Sequence, residues 1–272
     1  MADPSKYYAQ VVVTFKKLLQ DDSLADLIIK VGSDTIHAHS AVLCCRCPEI
    51  VGFPANDEKS KKKTKKNEVK IKDGAVTPPA MHKVLEFLYT GEVDFQKLID
   101  KEILLLVKAA RFFKLDRLSY LCEEWLNGHM TIEGVFHLLK AATDLDEERI
   151  KGFCLQFALK NYNDFIANKD GIYILGIELF QEVVAAFQTN PSPPASIYPE
   201  GGPPNTLEED YKKLYEMMPY SDFSVACGSE NIKCHKAIIL AFSDIMGNAL
   251  IKDSDTPVRI SADAFKSVLK FS

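Results

Sequence analysis

At 272 residues, 47% of them hydrophobic and 26% charged, the chain has the composition of a globular protein long enough for two domains of ordinary size. With a net charge of −5 and a pI near 5.7, the surface as a whole does not advertise nucleic acid or anionic membrane as a partner. No stretch approaches the roughly 20 apolar residues of a spanning helix, and the opening MADPSKYYAQ has no apolar run behind a basic one, so a cytoplasmic protein is expected. Seven cysteines suit a reducing compartment, because an odd number cannot pair completely.

Tyr8, Val12, Phe15 and Leu19 recur at helical spacing and predict an amphipathic lead-in helix with one apolar face. DLIIKV and TIHA, separated by Gly32, Ser33 and Asp34, predict a hairpin whose Gly32 supplies a positive φ. A short helix begins at Ser40. From Gly52 to Lys70 the apolar periodicity stops and lysines dominate, which reads as a solvated insertion over about 54–68. Val69 to Ile71 predicts a third strand. Pro78 and Pro79 open a helix with Met81, Val84, Leu85 and Leu88 inward, closing at Gly91.

Helical spacing continues through Ile103, Leu106, Val107 and Ala110, then Leu118, Leu121, Cys122 and Trp125, then Val135, Leu138, Leu139 and Ala142, then Ile150, Phe153, Cys154 and Phe157. The prolines and glycines between Gln188 and Asn205 mark a boundary. The fold class read from these elements is α+β, a small sheet covered by helices.

Beyond the boundary the chain repeats its own beginning. FKKLLQDDSLADLIIKVGSDTIHAHSAVL, from Phe15, lies without a gap over YKKLYEMMPYSDFSVACGSENIKCHKAII, from Tyr211, each residue matched to one 196 positions later. Lys16, Lys17, Leu18, Asp26, Gly32, Ser33, Ile36, His39 and Ala41 recur as Lys212, Lys213, Leu214, Asp222, Gly228, Ser229, Ile232, His235 and Ala237. MHKVLEF, from Met81, also resembles FKSVLKF, from Phe265. The same domain starts twice.

The repeat bears on the residues that suggest chemistry. Cys44, Cys45 and Cys47 sit on one helical turn, where thiols point in different directions, whereas a zinc site needs about four converging ligands. Their counterparts are Leu240, Ala241 and Ser243, so buried packing is favoured over an oxidisable thiol or a metal site. His39 recurs as His235 without an accompanying nucleophile or second ligand, which favours a hydrogen bond fixing the strand-to-helix corner. No G-x(4)-G-K-[ST], G-x-G-x-x-G, H-E-x-x-H or G-x-S-x-G stretch is present, and no enzymatic activity, cofactor or metal is expected. The run Lys61 to Lys66 has two functional readings, nuclear import or contact with an acidic surface. A solvated insertion is favoured, because no aromatic interleaves to stack bases.

Asp26-Leu-Ile-Ile, the Gly32 turn, Ala38-His39-x-Ala41-Val42-Leu43 and Phe87-Leu-Tyr-Thr-Gly91 together resemble the BTB/POZ family. The helices after Trp125, from TIEGVF through ELFQEVVAAF, resemble the BACK domain that succeeds many BTB domains. The resemblance implies a first BTB/POZ domain over 8–128, an all-α BACK domain over 129–187, a linker over 188–206 and a second BTB/POZ domain over 207–272, C-terminally incomplete at Ser272. The order is similar to Kelch-BTB-BACK regulators that recruit Ras-type small GTPases and, more loosely, to Rho-related BTB proteins, although neither Kelch nor GTPase sequence is present.

The resemblance implies an adaptor recruiting a protein substrate to a cullin-3 ubiquitin ligase, with a dimerising scaffold in signalling or transcription as the alternative. It places a homodimer interface on Tyr8, Val12, Phe15 and Leu19, and cullin contacts on Ile50, Phe53 and Tyr89. One departure stands out: where cullin-binding relatives carry a hydrophobic-x-Glu motif, Asn56-Asp57-Glu58 lacks the hydrophobic residue.

Overall fold

Alternation in Leu27–Val31 puts Leu27, Ile29 and Val31 on one face, and all three are buried in the computed structural model, which describes residues 4–51, 67–189, 192–227 and 230–242. The chain divides into two units, Met1–Val93 with Asn205–Ser272, and Asp94–Pro204. Helix α1 (Pro4–Gln20) precedes strand β1 (Leu27–Val31), which pairs antiparallel with β2 (Asp34–Ala38) and parallel with β3 (Asn67–Ile71). Val31 pairs with Asp34, so the turn holds two residues rather than the expected three, with Gly32 at φ 60°. Such a turn matches the strand twist and needs a positive φ that glycine adopts without strain.

Helices α2 (Ser40–Arg46), α3 (Pro48–Val51) and α4 (Pro78–Thr90) complete the first copy's share of this unit. The Thr77 hydroxyl accepts from the Ala80 N–H at 3.4 Å at one end of α4, and the Gly91 N–H donates to the Phe87 carbonyl at 2.7 Å at the other. The buried stripe of α1 is Val11, Thr14, Phe15 and Leu18, while Val12 and Leu19 lie half-buried at its margins. The apolar face is thus rotated from the expected one. The lysine-rich residues 54–66 and the Phe265 stretch lie outside the described residues.

The second unit is helical. α5 (Asp100–Phe112) packs on α6 (Asp116–Gly128) and on α7 (Ile132–Asp144), and α7 packs on α8 (Glu148–Lys160) and α10 (Lys169–Gln188), with the short α9 (Tyr162–Ala167) between them in the chain. Phe136 and Phe165 stack at 4.4 Å. Gly176, at φ 75°, breaks the helical path inside α10, where a side chain would be strained. The proline-rich segment does not lie free. The Tyr198 hydroxyl bonds Glu123 at 2.8 Å and Ser119 at 2.9 Å, and Arg117 donates to the Pro203 carbonyl at 2.7 Å.

Within the first unit, α11 (Leu207–Met217), β4 (Phe223–Cys227), β5 (Glu230–Cys234) and α12 (Lys236–Phe242) repeat the opening elements. β4, β5 and α12 begin and end 196 residues after β1, β2 and α2, and the two hairpins share one register: Leu27 pairs with Ala38 as Phe223 pairs with Cys234.

Candidate functional site

Each strand-to-helix corner is built by the same aspartate. Asp26 Oδ1 accepts the Ser40 N–H at 2.7 Å, and Asp222 Oδ1 accepts the Lys236 N–H at 2.9 Å, each capping a helix that starts 14 residues later. A first-turn N–H has no partner inside its own helix, so a carboxylate there stabilises the helix by about 1 kcal/mol. This explains the recurrence of Asp26 as Asp222.

The recurring histidines are fixed differently. The Tyr89 hydroxyl accepts the His39 N–H at 2.8 Å and lies within hydrogen-bond distance of His39 Nδ1, at 3.0 Å. His235 instead donates from Nε2 to the Pro219 carbonyl at 2.6 Å. Both rings are buried, and burial holds both below the ordinary histidine pKa despite the nearby carboxylates of Asp26 and Asp222. Replacing Tyr89 by Phe strips a buried N–H and a buried ring nitrogen of their partner. That change is expected to lower stability by about 2 kcal/mol in a urea titration.

The histidines also set a pH dependence. Their folded pKa values lie below the ordinary value of 6.5, so the unfolded chain takes up these protons first. The contribution is complete above about pH 6.5 and falls as pH drops below it. Urea midpoints measured between about pH 7.5 and pH 5.5 should decrease, and replacing both histidines by Gln should flatten the decrease.

Between the corners the two copies meet. α1 packs against α12, and its counterpart α11 packs against α2, so each copy lays its first helix on the other's corner helix. The matched residues Phe15 and Tyr211 stack at 4.0 Å with a 14° interplanar angle. Reciprocal pairs of elements around one self-matched contact are the signature of two-fold pairing, here inside one chain.

Arg46 closes this face. Its side chain is 4% exposed and that of Asp210 12%. Nη1 donates to Asp210 Oδ2 at 2.6 Å and to Thr206 Oγ1 at 3.1 Å, while Nε donates to the Leu88 carbonyl at 3.0 Å. The guanidinium carbon lies 5.6 Å from the Phe87 ring centroid. The Tyr211 hydroxyl donates to the Tyr89 carbonyl at 2.6 Å. Both carbonyls lie in the last turn of α4, where helical partners run out; Arg46 of the first copy satisfies that of Leu88, and Tyr211 of the second copy satisfies that of Tyr89.

The expected site residues distribute over this geometry. Phe15 is fully buried on the paired face, with Val12 and Leu19 at its edge; Tyr8 belongs to α1, and its side chain lies outside the described residues. Within the chain this helix packs on α12 of the second copy. Of the expected cullin contacts, Phe53 lies outside the described residues, while Ile50 and Tyr89 are buried, and Tyr89 is engaged with His39. Neither presents a free surface, so each shapes a surface only from beneath.

Cys44 and Cys45 are half-buried and Cys47 is buried. Burial raises all three thiol pKa values, those of Cys45 and Cys47 to about 12, so the nucleophilic, metal-binding thiolate is disfavoured at neutral pH. Among the described residues no group of three or more His, Cys, Asp or Glu side chains is arranged to hold a metal.

Arg46 and Asp210 are not among the residues expected from the sequence. The signal was available in the repeat: aligned residues are Arg46 with Phe242 and Thr14 with Asp210, two complementary charges each present in one copy only. The BTB/POZ domain family matches residues 15–130, and that stretch is a BTB/POZ domain. BTB domains commonly act as protein-interaction adaptors, often for cullin-3 ligases, and typically dimerise and bind other proteins.

Proposed function

We propose that this chain, with its BTB/POZ domain at 15–130, is a non-enzymatic adaptor that recruits a protein substrate to a cullin-3 RING ubiquitin ligase. In this reading α7 to α10 serve as a BACK domain that extends the cullin-facing surface, and residues from 207 onward are a second BTB domain. The substrate class drawn from the resemblance is a small GTPase, and the working compartment is the cytoplasm, with the lysine run giving access to the nucleus.

The observation that carries the proposal is the BTB match succeeded at once by four consecutive helices, α7 to α10. Phe53, just past α3, is the apolar anchor to test. Titration calorimetry of the full chain with the N-terminal domain of cullin-3 should give measurable binding. Phe53→Ala should weaken it about 30-fold or more, as expected of an aromatic interface hot spot worth about 2 kcal/mol.

The missing hydrophobic-x-Glu motif favours a second reading, a scaffold without a ligase. Deleting Asp57 to Asn67 separates two roles of the insertion, because tighter binding means that it obstructs cullin and weaker binding that it contacts it. If neither the full chain nor the deletion variant binds while both keep a native circular dichroism spectrum, the scaffold reading replaces the adaptor.

A further inference from the structure

We infer that the paired face is keyed for unlike partners: the first copy accepts the second and rejects another first copy, through Arg46, Asp210 and the Tyr211 hydroxyl. This keying is independent of any ligase role. It arises where the two copies differ across an otherwise reciprocal face.

A pair of first copies from two chains, related by the same two-fold operation, would set Thr14 where Asp210 stands and Phe15 where Tyr211 stands. Arg46 would keep its burial and lose its carboxylate, and the Tyr89 carbonyl would lose its hydroxyl donor. A pair of second copies would set Phe242 where Arg46 stands, leaving Asp210 buried without its arginine. Lys213, 3.4 Å from Asp210 and 58% exposed, reaches the carboxylate from solvent and does not replace that arginine.

A buried charge stripped of its partner is strongly disfavoured, whereas the apolar stacking at positions 15 and 211 would survive in every combination. Attraction therefore comes from the stack, and rejection of like copies from the charges. The surface of the first copy fits a helix that presents an acidic residue followed directly by a hydroxyl-bearing aromatic, as Asp210-Tyr211 does. Joining both halves in one chain raises their effective concentration further.

The test exchanges the charges in the full chain. Arg46→Asp and Asp210→Arg each set like charges against one another, and each is expected to lower the melting temperature by about 5 °C or more. The double exchange should regain more than half of that loss. It falls short of full recovery because the Leu88 carbonyl loses its Arg46 Nε donor.

Mixed in equal amounts, the two single variants carry complementary faces and should form a species of twice the 30.5 kDa chain mass by light scattering, which neither forms alone. A double variant as unstable as the two losses added together, or a mixture of folded single variants that stays monomeric, overturns the inference. If a single variant fails to fold, the double variant alone decides: recovery supports the keyed face and no recovery refutes it.

Discussion

Truncating Glu123 to Ala is expected to cost about 3–5 kcal/mol, among the largest losses available from one side chain in the helical unit. Glu123 is 3% exposed, on α6, and gathers three partners: Arg111 of α5 at 2.8 Å, Arg149 of α8 at 2.7 Å and the Tyr198 hydroxyl at 2.8 Å. Arg111 also bonds Glu147. Burial raises the Tyr198 hydroxyl to about 12, and the Glu123 carboxylate beside it adds to the shift. Removing the carboxylate leaves two guanidinium groups facing one another with less negative charge between them, and takes one of the two side-chain partners of the Tyr198 hydroxyl, leaving Ser119.

For a chain of this size the loss should lower the melting temperature by about 10 °C in scanning calorimetry. The exposed pair Lys140–Asp144, with side chains 44% and 56% exposed, provides the contrast. There Asp144→Asn should change stability by less than about 0.5 kcal/mol, because water screens the pair.

The second large effect is expected at Phe15. Its ring is fully buried and stacked on Tyr211, so Phe15→Ala loses the burial, opens a cavity and removes an aromatic pair. About 3–5 kcal/mol should disappear, whereas Leu19→Ala, at the half-buried margin one turn along α1, should cost clearly less. Urea unfolding of the two variants side by side separates the faces: equal losses would place the pairing on the stripe of Val12 and Leu19 rather than on Val11, Thr14, Phe15 and Leu18.

Much of the fold was legible because it is local. The two prolines at 78 and 79 and the glycine at 91 bracket α4 within a residue of its observed ends, and the alternation in Leu27–Val31 and the 196-residue repeat place both hairpins. The turn expected at Gly32 is one residue longer than the observed one, since composition does not distinguish a turn residue from the first residue of a strand. The buried face of α1 lies about one position from the expected one. A four-residue stripe such as Tyr8, Val12, Phe15 and Leu19 shares Phe15 with the true one, and Thr14 gives no apolar signal although it is buried. The candidate site was less legible, because it is made by residues more than 120 positions apart that meet only in the folded chain: Arg46 with Asp210, and Tyr89 with Tyr211. Tyr89 stood out in the sequence as part of a surface, yet its hydroxyl is committed to the His39 corner inside the core.

Pairing of the two copies within one chain is tested most directly by the mass of the full chain in solution. Light scattering on the purified protein at micromolar concentration should give 30.5 kDa, because the α1 face that would otherwise seek a second molecule is already covered by α12 and Tyr211. A stable species of twice that mass, which Phe15→Asp splits into single chains, would contradict it and place the pairing between molecules.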